Sequence, residues 1–182
     1  ESEKIVNLDK DAATLVANIV EPTSGDINTR TSISNGFKFT WAEGDQIGIH
    51  TNAGDLLVGK LNKDSHGQST GVFSYTVIGD APVLSGVAVY PYNDGHVIAD
   101  DKLTFVMPAE YDLGAAYTNT NAAMLAMNPA KRDGSASYSF SHLAGVMRFE
   151  FKNAPVGADK FTLSLGGQKI NGSFEVDLSD PV

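Results

Sequence analysis

The stretch FKFTWAEGDQIGIH, residues 37–50, carries two runs of alternating apolar and polar residues around an acidic turn. Phe37, Phe39 and Trp41 alternate with Lys38 and Thr40, and Ile47 and Ile49 alternate with Gln46, Gly48 and His50. A period of two places the apolar set on one face of an extended chain, so each run predicts a half-buried strand. Between them Ala42-Glu43-Gly44-Asp45 has the composition of a tight turn. The predicted unit is therefore strand, turn, strand, with Trp41 as a packing anchor.

The same period recurs outward along the chain. Phe73, Tyr75 and Val77 alternate with Ser74 and Thr76; Leu103, Phe105 and Met107 alternate with Lys102 and Thr104. Met147, Phe149 and Phe151, then Phe161, Leu163 and Leu165, repeat it, and Phe174 and Val176 face away from Ser173 and Glu175. Turn signals separate the runs at 52–55, 92–95, 132–134 and 165–167. Only residues 114–127 admit a helix, and their Thr and Asn content favours a loop leading to a short strand at 122–127. The expected fold class is all-β, mostly antiparallel, a sandwich or a barrel.

Composition narrows the function. The chain has 182 residues, 42% hydrophobic, enough for one large domain with a real core. A net charge of −9 disfavours nucleic acid, because phosphate binding needs clustered Lys and Arg. The absence of cysteine excludes disulfides, thiolate metal sites and a cysteine nucleophile. No apolar run reaches the roughly 20 residues of a membrane span, and residues 1–15 have neither the basic region nor the apolar core of a signal peptide.

Reactive constellations do not emerge. Gly54 to Lys60 (GDLLVGK) fits the first part of a phosphate-binding loop, but Leu61 replaces the Ser or Thr that would hold magnesium, and the interior reads as a strand. His50, His66, His96 and His142 lack metal-ligand spacing and are expected at the surface. Asp9 and Asp11 lack the glycine and glutamate of a calcium loop. Asp100–Asp101 and Asp177–Asp180 are carboxylate neighbours without a readable spatial pairing. Asn171-Gly172-Ser173 fits a short glycosylation pattern. Neither catalysis nor any cofactor or metal is expected. Tyr90 and Tyr92, with Trp41, offer an aromatic platform for a sugar as an alternative to core packing.

Several stretches, in order, resemble the fimbrillin family, the pilin-like surface proteins of Bacteroides and their relatives. They are TRTSIS (29–34), FTWAEGDQIGIHT (39–51), GVFSYTVIG (71–79), AVYPYN (88–93), KLTFVMPAEYDLG (102–114), AAMLAM (122–127), FSHLAGVMRFEFKNAPVGADKFTLS (140–164) and KINGSFEVDLSD (169–180). Ala144 stands where relatives often carry a cysteine. The resemblance implies a transthyretin-like Greek-key β-sandwich over residues 1–182, the N-terminal domain of a two-domain protein. It implies export to the cell surface and outer membrane, with membrane attachment only through a lipid anchor that this chain lacks. It implies partners in other fimbrial subunits and a host or bacterial surface ligand, and assembly by strand exchange after cleavage at Arg or Lys.

Here residues 1–30 comprise the first strand and an exposed loop, Arg30 is the candidate processing site, and Leu15, Ala17 and Ile19 are the inward face of the exchanged strand. Loss of that strand would leave unpaired backbone and an apolar groove, which an added strand would fill. The alternative function is a surface glycan-binding module using Tyr90 and Tyr92.

Overall fold

The computed structural model describes residues 10–20, 39–51, 54–78, 84, 86–107, 123–132, 135–143, 152–153, 155–158, 162, 166–167 and 171–179. The described residues are all β apart from a 3₁₀ turn at Lys63–Ser65. The strands are β1 (Lys10–Ile19), β2 (Gln46–His50), β3 (Leu56–Leu61), β4 (Thr70–Ile78), β5 (Ala88–Tyr90), β6 (Val97–Ala99), β7 (Lys102–Met107), β8 (Met124–Ala126), β9 (Ala130–Arg132), β10 (Ser135–His142) and β11 (Gly172–Asp177). Where the sequence reading treats 1–182 as one domain, the chain divides into two compact units. These are Glu1–Tyr92 with Asp112–Ala144, and Asn93–Tyr111 with Gly145–Val182.

The first unit is a ladder that closes on itself. Its hydrogen-bonded order is β1-β4-β3-β2-β5-β8-β10, and β10 pairs back to β1. Every pairing around this circuit is antiparallel except β1 with β10, which is parallel. Parity requires this. Strand direction alternates across antiparallel pairs, so a closed circuit of seven strands must contain a parallel seam.

β9 adds no separate stave. It lies on the same edge of β10 as β8, and the register slips by one residue between Ser141↔Leu125 and Ser137↔Ala130. The extra residue sits in the link between them, where Asn128 has φ 39. β8 and β9 are thus one strand interrupted by a bulge.

The core fills the interior of this circuit. Leu15, Ala17, Ile47, Ile49, Phe73, Tyr138 and Phe140 are buried, and so is Trp41. Trp41 meets Phe73, Tyr90 and Phe140 edge-on at centroid distances of 5.0, 5.3 and 5.6 Å, contacts worth about 0.5–1.5 kcal/mol each beyond area burial. The expected strand through Trp41 is corrected: residues 39–42 lie outside any strand. Their backbone bonds a loop instead, with the Trp41 amide donating to the Gln68 carbonyl and the Gly67 amide donating to the Trp41 carbonyl. Gly44 turns the chain at φ 88, and β2 carries Ile47 and Ile49 inward as expected. Phe37 and the expected strands at 147–151 and 161–165 fall outside the described residues.

The second unit contains a three-stranded sheet ordered β11-β7-β6. Leu103 and Phe105 of β7 are buried, and His96 stacks on Phe105 at 4.5 Å. β6 and β7 are joined by Asp100 and Asp101 alone, with φ of 51 and 58. Positive φ at both positions is the backbone of a two-residue hairpin turn that favours Asn-Gly. The two aspartates are therefore turn residues held in a left-handed conformation. Asp101→Gly should raise stability by about 1 kcal/mol, read from the midpoint of urea unfolding.

Candidate functional site

The site is the seat that β1 occupies. β1 pairs with β4 from Lys10↔Ile78 to Asn18↔Thr70, and with β10 from Val16↔Ser137 to Ile19↔Phe140. The strand ends at Ile19, and Val20 beyond it is exposed. Leu15, Ala17 and Ile19 share one face and are 0, 0 and 8% exposed. Full burial of a Leu or Ile side chain contributes about 1.5–3 kcal/mol. Arg30 lies outside the described residues.

Two features fix β1 in register. On the outer face, Asn18 spans both neighbours. Its Nδ2 donates to Ser137 Oγ of β10 at 3.3 Å, and its Oδ1 accepts from Thr70 Oγ1 of β4 at 2.8 Å. A slip of one residue would turn Asn18 into the core and the apolar set outward. On the inner side, Trp41 Nε1 donates to the Ala17 carbonyl at 3.2 Å. Ala17 faces Gly71 across the β1–β4 ladder. A Cβ built on Gly71 would stand 2.8 Å from Trp41 Cδ1 and 2.8 Å from Leu61 Cδ1. Gly71 therefore leaves the space that the indole occupies.

Beside this seat, Asp45 and Tyr90 form a partly buried pair. Tyr90 Oη donates to Asp45 Oδ1 at 2.9 Å, and the Ala42 amide donates to Oδ2 at 2.7 Å. Burial raises the Asp45 carboxyl above its ordinary range, and the two hydrogen bonds oppose that rise. Burial and the adjacent carboxylate push the Tyr90 hydroxyl strongly upward, so it stays a donor. A cleft lined in part by Ile19, Trp41, Asp45, Tyr90 and Met124 has a volume of about 10 Å³, room for about one water.

The aromatic platform expected at Tyr90 and Tyr92 needs correction at Tyr90. Its ring is 5% exposed and turned edge-on to Trp41, leaving no open face for a sugar. Tyr92 is half-buried, and its amide donates to the Gln46 carbonyl. Trp41, at 1% exposed, is equally closed to a ligand.

The histidines also depart from expectation. Only His66 is exposed; His96 is buried, and His50 and His142 are half-buried. His142 packs against the Phe39 ring at 4.2 Å, and both of its ring nitrogens are buried with no partner among the described residues. Burial holds the His50 and His142 imidazoles below their ordinary value of 6.5.

Gly54 to Lys60 resolves as a turn, with Gly54 at φ 86, followed by β3. No α-helix follows to point an N-terminus at a phosphate; a 3₁₀ turn does. Among the described residues no group of three or more His, Asp or Glu is placed to hold a metal, and no helix is long and apolar enough to cross a membrane. Asp177 accepts from the amide and hydroxyl of Ser179, while Asp9 and Asp180 lie outside the described residues.

Sequence reasoning missed β10, the other wall of the seat, although Ala136, Tyr138, Phe140 and His142 alternate with serines. It also missed Asn18 and Gly71, whose roles depend on residues distant in sequence.

Two outcomes follow for this site. Asn18→Ala should cost about 1 kcal/mol, with a red shift of Trp41 emission that reports a loosened β1. The chain has one tryptophan, so the signal is unambiguous. For His142, a folded-state pKa below the unfolded one gives stability that is present above pH 6.5 and lost as pH falls further. His142→Phe should therefore flatten the loss of stability on acidification below pH 6.5, measured by urea unfolding against pH.

Searches against family models, curated proteins and solved structures return no match for this chain.

Proposed function

We propose that this chain is a non-catalytic subunit of a surface fimbrium or an associated adhesion protein, assembling by exchange of β1. The proposal takes its fold as a transthyretin-like Greek-key sandwich with both edges joined through β1. Its partners are other fimbrial subunits, and its setting is the exported face of the outer membrane.

The observation that carries the reading is the position of β1. It shares the parallel seam with β10, and it continues into the rest of the circuit through the segment that contains Arg30. Removal of β1 opens the ladder between β4 and β10, leaving two unpaired edges beside a groove that held Leu15, Ala17 and Ile19. Such a groove is satisfied by another extended strand. The order of the fimbrillin-like stretches supports the same reading.

Mild native digestion with trypsin tests it. The expected result is a cut after Arg30 detected by mass spectrometry, followed by oligomer formation as the β1 fragment is replaced. Complete protection of Arg30, or a nicked chain that stays monomeric, contradicts the reading.

A further inference from the structure

We infer that the seat between β4 and β10 is a size filter that takes β1 of a second, uncut copy of this chain, still joined to that copy, and admits at the Ala17 position no residue larger than alanine. This rests on the strand-exchange reading and adds what the incoming strand must look like. The occupant follows from the fit already present: residues 10–19 match the seat in register, in apolar face and in the outward Asn18.

The filter is built from three residues around one position. Gly71 of β4 and Tyr138 of β10 flank Ala17 in the two ladders, so the three side-chain directions line one inward row. Tyr138 is 0% exposed and occupies its place in that row fully. Gly71 has no side chain, and Trp41 and Leu61 fill the space to within 2.8 Å of where a Cβ would stand. The indole is held over this row by its own hydrogen bond to the Ala17 carbonyl. Ala17 is itself 0% exposed in this row, so a Leu or Val side chain at the central position overpacks it. Two residues to either side, Leu15 and Ile19 are accommodated in full. The seat thus reads large, small, large on alternate residues, with a hydrogen-bonding side chain outside at position 18.

A peptide competition separates the filter from the exchange it rests on. The full chain is held in urea near its unfolding midpoint with excess labelled peptide of residues 10–20, in wild-type, Ala17→Gly and Ala17→Leu forms. The urea is then removed, and the label retained on the chain is measured by gel filtration, with Trp41 emission reporting insertion. The wild-type and Ala17→Gly peptides should be retained, and Ala17→Leu about ten- to hundredfold less. A groove that reads apolarity alone would hold Ala17→Leu more tightly, because leucine is the larger hydrophobe. Equal or greater retention of Ala17→Leu overturns the filter and leaves strand exchange standing. Retention of none of the peptides overturns strand exchange, and the filter with it.

Discussion

A closed circuit of seven strands cannot be antiparallel throughout, and here the odd pairing falls between β1 and β10. This constraint organises the first unit. Four register pairs make the parallel seam, whereas nine pairs join β1 to β4. Parallel pairing is slightly weaker per residue than antiparallel pairing. The seam is therefore both the closing contact of the ladder and its shortest-held side at β1. Closure also removes the unpaired edges that invite association with other chains, so a partner strand reaches β4 and β10 only where β1 has left.

Trp41 ties the seam to the core. Its indole sits over Gly71, meets three aromatic rings, and donates to a carbonyl of β1. One side chain thus senses β4, β5, β10 and β1 together. Tyr90, turned inward beside it, is oriented by Asp45, whose carboxylate also caps the turn through the Ala42 amide. Trp41 and Tyr90, two of the three aromatic residues that invite a ligand-binding interpretation, are consumed by this arrangement.

Much of this was legible in the alternation of apolar residues. Ile47, Ile49, Phe73, Val77, Leu103 and Phe105 are buried where a period of two placed them, and so are Leu15, Ala17 and Ile19. Trp41 and Phe39 belong to the core as the alternation predicts but lie outside any strand, and the backbone partners of Trp41 are in a loop at 67–68. Period two reports which side chains go inward, not which backbone they bond. β10 is hard to read because serines dilute its composition, although its alternation is regular. The histidines misled because a polar type near a strand end reads as surface, whereas His96 and His142 pack on Phe105 and Phe39. The seat itself joins Ala17, Gly71 and Tyr138, and only the folded ladder brings these together.

The central claim is that β1 leaves its seat as a unit while the remaining strands of the circuit persist. Native-state hydrogen exchange tests this most directly, because the Trp41 indole N–H bonds β1 and its exchange is resolved from the backbone. The account predicts that the amides of β1 and the Trp41 indole exchange together, through an opening of lower free energy than that of β2 and β3. Exchange of β1 only through global unfolding, at the same free energy as β2 and β3, would contradict it.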